Sequence, residues 1–151
     1  MSIWGPGPFD NDDGADWFAD FRDRPALQSI REALEEIADP SHVGYLDVTD
    51  AAEAVAAAEV LVNLLDRSGS DEASREQFDE FAEVLDIELE LADERHIARL
   101  AQQAIDVIEI VLNDAENSEL RQMWEEQAED MPAWMAVMRA LQQRLHRFAV
   151  P

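Results

Sequence analysis

Ala51-Ala52-Glu53-Ala54-Val55-Ala56-Ala57-Ala58-Glu59-Val60-Leu61-Val62-Asn63-Leu64-Leu65 is the stretch on which the fold of this chain turns. Six of its first eight residues are alanine, and large aliphatic side chains follow almost without interruption. Apolar positions run nearly all the way round a helical wheel, so one solvent-facing stripe is missing. That pattern predicts a central helix over about 50–66, approached closely by its neighbours. Thr49 or Asp50 is placed to cap its start, and Ser68-Gly69-Ser70 to stop it.

On the N-terminal side, Trp17, Phe18 and Phe21 make one apolar helical face, ending in Arg22 and Arg24, where cations oppose the helix dipole. Asp12 or Asp13 is the natural cap of that helix, and Asp16 adds charge to its first turn. Pro25 then breaks the chain. Leu27, Ile30, Leu34 and Ile37 continue at spacings of three and four until Pro40, and a connector around His42 leads to the central helix.

On the C-terminal side, 71–85 reads as a helix with Phe78, Phe81 and Leu85 on one face. Asp86-Ile87-Glu88-Leu89-Glu90-Leu91 alternates with period two, a strand signal with no partner strand, and is read as a connector or irregular helix end. From Asp93 to Asn113 a polar stripe of Arg95, Arg99, Gln102, Asp106, Glu109 and Asn113 backs a long apolar surface. Asn117 or Ser118 caps the next helix, which carries Leu120, Met123 and Trp124. Pro132 opens the last one, with Trp134, Val137, Met138, Leu141, Leu145 and Phe148 in a stripe. The expectation is an all-α fold: a single-domain bundle of six or seven helices over residues 1–151.

The first seventeen residues stand apart. Two Trp, a Phe, two Pro and three Gly surround four carboxylates and Asn11. They predict an ordered, non-helical leader over 1–12, with Trp4 and Phe9 buried against the last helices near Trp124. Asp10 to Asp13 would be held by backbone N–H groups or an Arg. A calcium loop is a poor match, because Gly14 stands at the fifth position and Phe21 at the twelfth.

Charge narrows function by exclusion. All eleven cations are Arg, and 35 acids bring the net charge to −24. Such a field disfavours nucleic-acid phosphate and anionic lipid and steers basic proteins inward. With no cysteine there are no disulfides, thiolate metal sites or thiol nucleophiles. No apolar run approaches the roughly 18 to 20 residues of a membrane span, and no secretory signal is visible.

No catalytic signature emerges. His42, His96 and His146 lie far apart, and no G-x-S-x-G elbow or phosphate loop occurs. Acidic pairs at helical spacing, Glu32 with Glu36, Glu80 with Glu83, and Glu126 with Glu129, are what a magnesium-binding enzyme would use, but a chain this acidic produces them by chance. The basic C-terminal segment, Arg139, Arg144, His146 and Arg147, suits a helix C-terminus and could also dock on the protein's own acidic surface or on a second subunit.

Two stretches resemble a bacterial family, domain-of-unknown-function family 4259. They are Trp4-Gly5-Pro6-Gly7-Pro8-Phe9-Asp10-Asn11-Asp12-Asp13 with Ala15-Asp16-Trp17, and Ser118-Glu119-Leu120 with Trp124-Glu125-Glu126 and Trp134. An alanine-rich helix lies between them, as here at 51–58, and the chain departs from the pattern at Ser2 and Ile3. The resemblance implies a small cytoplasmic bacterial protein and brings no reaction, cofactor or catalytic residue. Trp4, Phe9, Asp10, Asn11, Asp12, Asp13, Asp16, Trp17, Ser118, Glu119 and Trp124 are therefore structural or interaction candidates. The leading expectation is a cytoplasmic, non-enzymatic module, immunity- or inhibitor-like, that binds a basic protein and needs no cofactor. The alternative is a magnesium-dependent nucleotide-processing enzyme.

Overall fold

A computed structural model describes residues 2–38, 45–66, 72–114 and 116–149. The expected stops and connector at Pro40, His42 and Ser68-Gly69-Ser70 lie outside these residues. Among the described residues the chain forms eight helices and no strand: α1 (Asp12–Asp23), α2 (Leu27–Ala38), α3 (Val48–Leu65), α4 (Glu72–Val84), α5 (Asp86–Leu91), α6 (Glu94–Asn113), α7 (Glu119–Glu125) and α8 (Met131–His146). The fold is all-α and forms one domain.

The alanine-rich stretch is the axis. α3 packs against α1, α2, α4, α6, α7 and α8, and none of its residues is exposed. Alanine allows that crowding, because a side chain ending at Cβ lets neighbouring helices approach from several directions at interior packing density. Its start is capped by Asp47, whose carboxylate accepts from Thr49 N at 2.8 Å, rather than by Thr49 or Asp50. At its other end Arg144 of α8 donates to the carbonyl of Asp66 at 3.2 Å and to Asn63 Oδ1 at 3.3 Å. Arg147 pairs with Asp66 at 2.9 Å. The basic end of α8 thus docks on the protein's own acidic surface, supplying cations where the α3 dipole is negative.

The helix beyond the expected six or seven is α5, the stretch read above as a connector or irregular helix end. Alternation and a helix coexist in Asp86–Leu91 because Leu89 joins buried Leu85 on one face, four residues away. Ile87 and Leu91, also four apart, share the solvent face at 71% and 82% exposure. α5 also supplies a cap that α2 lacks: Glu88 Oε2 accepts from Leu27 N at 3.0 Å, across 61 residues of sequence.

Rings tie the N-terminal region to α4. Phe9 stacks on Phe18 at 4.3 Å between centroids, and Phe18 and Phe21 both meet Phe81 edge-on. A second aromatic pair, Trp124 and Trp134, stacks at 5.8 Å where α7 meets α8.

Because Ala57 is fully buried, Ala57→Leu tests the close approach around α3. Leucine and alanine differ little in helix propensity, so any large loss comes from overpacking. Chemical denaturation should show a loss of about 1–3 kcal/mol.

Candidate functional site

The leader closes on itself. Ile3 and Asn11 form an antiparallel bridge, Trp4 N donates to Asp10 O at 2.9 Å, and Asp12 N donates to Ser2 O at 3.1 Å. Asp10 folds into the middle and accepts from Gly7 N at 3.0 Å. A Cβ on Gly5 or Gly7 would lie 2.6 Å from Asp10 Oδ2, so a side chain at either place would displace the Asp10 carboxylate. Ile3, Gly5, Pro6 and Pro8 cover Ala52, Val55, Leu120, Trp124 and Trp134, leaving a void of only about 10 Å³.

Several expectations need correction here. Trp4 is 60% exposed, not buried: its ring stands at the rim of a shallow groove with Trp124, Gln127 and Asp130. The smaller Ile3 packs against the core in its place. Phe9 is half-buried on Phe18 of α1, away from Trp124. The α1 cap is Asn11, not Asp12 or Asp13. Its Oδ1 accepts from Gly14 N at 2.7 Å, and an amide can also donate to the Pro8 carbonyl, at 3.4 Å, which a carboxylate cannot. Asp12 accepts from Ser2 N at 3.1 Å, and Asp13 from the Thr49 hydroxyl at 3.2 Å rather than from an N–H or Arg. Asp16 is exposed on α1.

The C-terminal motif meets the same place from the other side. Buried Ser118 caps α7 through Arg121 N at 3.3 Å. Leu46 N donates to Asn117 O at 2.8 Å, and Glu119 N donates to Leu46 O at 3.1 Å. Glu119 Oε1 accepts from Val48 N at 3.3 Å. Asp13, Asp47 and Glu119 therefore gather at the positive end of the α3 dipole. These recognisable residues clasp the first turn of the central helix. They stand beside a second acidic feature.

That feature is a cleft of about 420 Å³ between α1, α2 and α3. Trp17 and Phe21, stacked at 5.5 Å, line one wall. Asp20, Glu32, Glu36, Asp50 and Glu53 line the rest, with Arg24 as the one cation in the lining. Burial, then the carboxylates of Asp50, Asp13, Asp20 and Glu36, hold the Glu53 carboxyl above the usual glutamate value of 4.5. Six residues on, Glu59 is also raised by burial, yet Asn63 and Arg144 pull it back, the latter at 3.7 Å. Of the cleft residues, sequence reading identified only Trp17 and the Glu32–Glu36 pair. Asp50 and Glu53 carried a signal all the same: acids three apart at the start of a wholly buried helix must open onto some recess.

Glu80, Glu83, Glu126 and Glu129 lie apart from the cleft. Among the described residues no group of three or more His, Asp or Glu side chains converges closely enough to hold a metal ion, and no helix is long and apolar enough to cross a membrane.

Gly14 gives the sharpest test of the leader. Gly→Ala inside a helix normally gains about 1 kcal/mol. Here the new Cβ would sit 2.3 Å from the Pro8 backbone carbonyl, so Gly14→Ala should instead lose about 1–3 kcal/mol in a denaturant titration. Asn11→Ala should lose about 1 kcal/mol, and the double variant less than the sum, since both break one cap.

The family model for a domain of unknown function, DUF4259, matches residues 2–137. Searches of curated proteins and of solved structures find no match. The matched span takes in the leader, the clasp around α3 and the acidic cleft, and the chain belongs to the DUF4259 family.

Proposed function

We propose that the protein is a non-enzymatic interaction module of the bacterial cytoplasm, immunity- or inhibitor-like, whose α1–α2–α3 cleft receives a cationic side chain of a basic protein partner. The observation that carries this reading is the crowding of five carboxylates from three helices beside a Trp17–Phe21 wall. Burial first, and then the neighbouring carboxylates, hold the Glu53 carboxyl above its usual value, so a negative charge at this position is disfavoured. An incoming guanidinium or ammonium offsets this and can also lie over an aromatic face. The net charge of −24 draws such a partner in from a distance.

A second reading rests on the same cleft. Glu32 and Glu36 on α2, with Asp50 and Glu53 on α3, are two helical acid pairs opening on one recess, as a magnesium-dependent nucleotide enzyme would need. The interaction reading is favoured because a divalent cation needs ligand oxygens converging at about 2.0–2.6 Å, and among the described residues no three such side chains come that close.

Glu53→Gln separates function from fold. The raised folded-state value means that ionised Glu53 weakens the fold above that value and not below the ordinary 4.5. Glu53→Gln should therefore raise Tm at pH 7, and the gain should vanish as the pH falls below about 4.5. With Glu36→Gln added, retention of a basic protein from the native lysate at low salt should drop sharply. Undiminished retention would refute the reading. Calorimetric detection of a stoichiometric micromolar magnesium or manganese site would establish the enzyme reading instead.

A further inference from the structure

A second recess has the opposite character. It lies where α5, the first turns of α6 and the residues after α8 meet, with a volume of about 810 Å³, within the range of small-molecule sites. Leu89, Ile97 and Phe148 supply apolar surface, and Arg95, Arg99 and Arg147 supply cations. Arg147 is engaged by Asp66. Arg95 and Arg99 are exposed, and among the described residues neither has an ion-pair or hydrogen-bond partner.

Their isolation is notable in a chain with 35 acids. At three and four residues on either side, Arg95 has Leu91, Ala92, Ala98 and Arg99, and Arg99 has Arg95, His96, Gln102 and Gln103. No acid occupies a position from which a helix would pair them. The two guanidinium groups share a face one turn apart, at the positive end of the α6 dipole. One carboxylate, Glu94, also lines the recess.

From this geometry we infer that the α5–α6 groove binds a small amphiphilic carboxylate, the anion held by Arg95 and Arg99 and the apolar tail laid on Leu89, Ile97 and Phe148. Charge complementarity selects the head group, because planar guanidinium groups match a carboxylate bidentately. The overall field selects a single charge. Each added negative charge on a ligand is repelled by the −24 protein, so a nucleotide or polyphosphate is disfavoured where a monoanion is admitted. The apolar floor selects a tail, since burying hydrocarbon gives roughly 25 cal/mol per Å². The site is independent of the acidic cleft.

Decanoate below its micelle concentration, titrated into the full chain by calorimetry, tests this, with decanol and decyltrimethylammonium as controls. One decanoate per chain should bind saturably, with both controls weaker by roughly tenfold or more. Arg95→Gln with Arg99→Gln should weaken decanoate by roughly the same factor and leave decanol and Tm unchanged, both side chains being exposed. Phe148→Ala should weaken decanoate and decanol together. The inference fails if decanoate does not saturate, if decanol binds equally well, or if the arginine variant binds decanoate as before. It also fails if sedimentation shows a dimer that the arginine variant dissolves, for then a second copy of the chain fills the groove.

Discussion

Burial of α3 on every side is the constraint from which the other features follow. A helix with no solvent face must be small enough for neighbours to close around it, and the run from Ala51 to Ala58 meets that need. It must also satisfy its two termini inside the protein. The N-terminus is met by Asp47 within the segment, with Glu119 of α7 accepting from Val48 N and Asp13 of α1 from the Thr49 hydroxyl. The C-terminus is met by Arg144, reaching from α8 to the Asp66 carbonyl. Acids at one end and an arginine at the other follow the direction of the helix dipole.

The same constraint explains why two glutamates of one helix differ. Glu53 and Glu59 are the only acids between Ala51 and Leu65, and each must emerge through the surrounding helices. Glu59 emerges beside Arg144 and Asn63, so its burial is offset. Glu53 emerges among Asp50, Asp13, Asp20 and Glu36, whose charges add to the effect of its burial. A carboxylate disfavoured by burial and by like charges weakens a fold. Where it persists, a binding role is a physical reason for keeping it.

Much of the fold was legible because helical periodicity reports burial directly. The stripe Leu27, Ile30, Leu34 and Ile37 is buried as spaced, and Ser118, one of the two caps read for α7, caps it. Errors fell where two readings share one pattern. Asp86–Leu91 alternates, yet residues four apart on it also share helical faces. Local propensity could not show that Glu88 would cap α2 from a distance. The size of Trp4 suggests burial, but the extended backbone at the Ile3–Asn11 bridge alternates its side chains, and with Ile3 packed on the core Trp4 is left exposed. The cleft was the least legible feature. It is assembled from three helices, and no single segment carries its charge density.

Trp17 belongs to both the motif and the cleft, but the polar residues of the two do different work. Asn11, Gly14, Asp13, Ser118 and Glu119 fix where α1 and α7 meet α3, and their hydrogen bonds end on backbone and neighbouring side chains. Asp20, Glu32, Glu36, Asp50 and Glu53 are carried by the helices so positioned and face the recess. A clasp made of backbone-directed bonds is what such a cleft requires. Crowded carboxylates push their helices apart, and only an independent restraint on α1 and α3 holds Asp20 within reach of Glu53. The leader, by closing over Trp124 and capping α1 at Asn11, supplies part of that restraint. Asp10, Asp12 and Asp13 are then explained by the loop and helix start that they build, and the cleft carboxylates lie one helix further on.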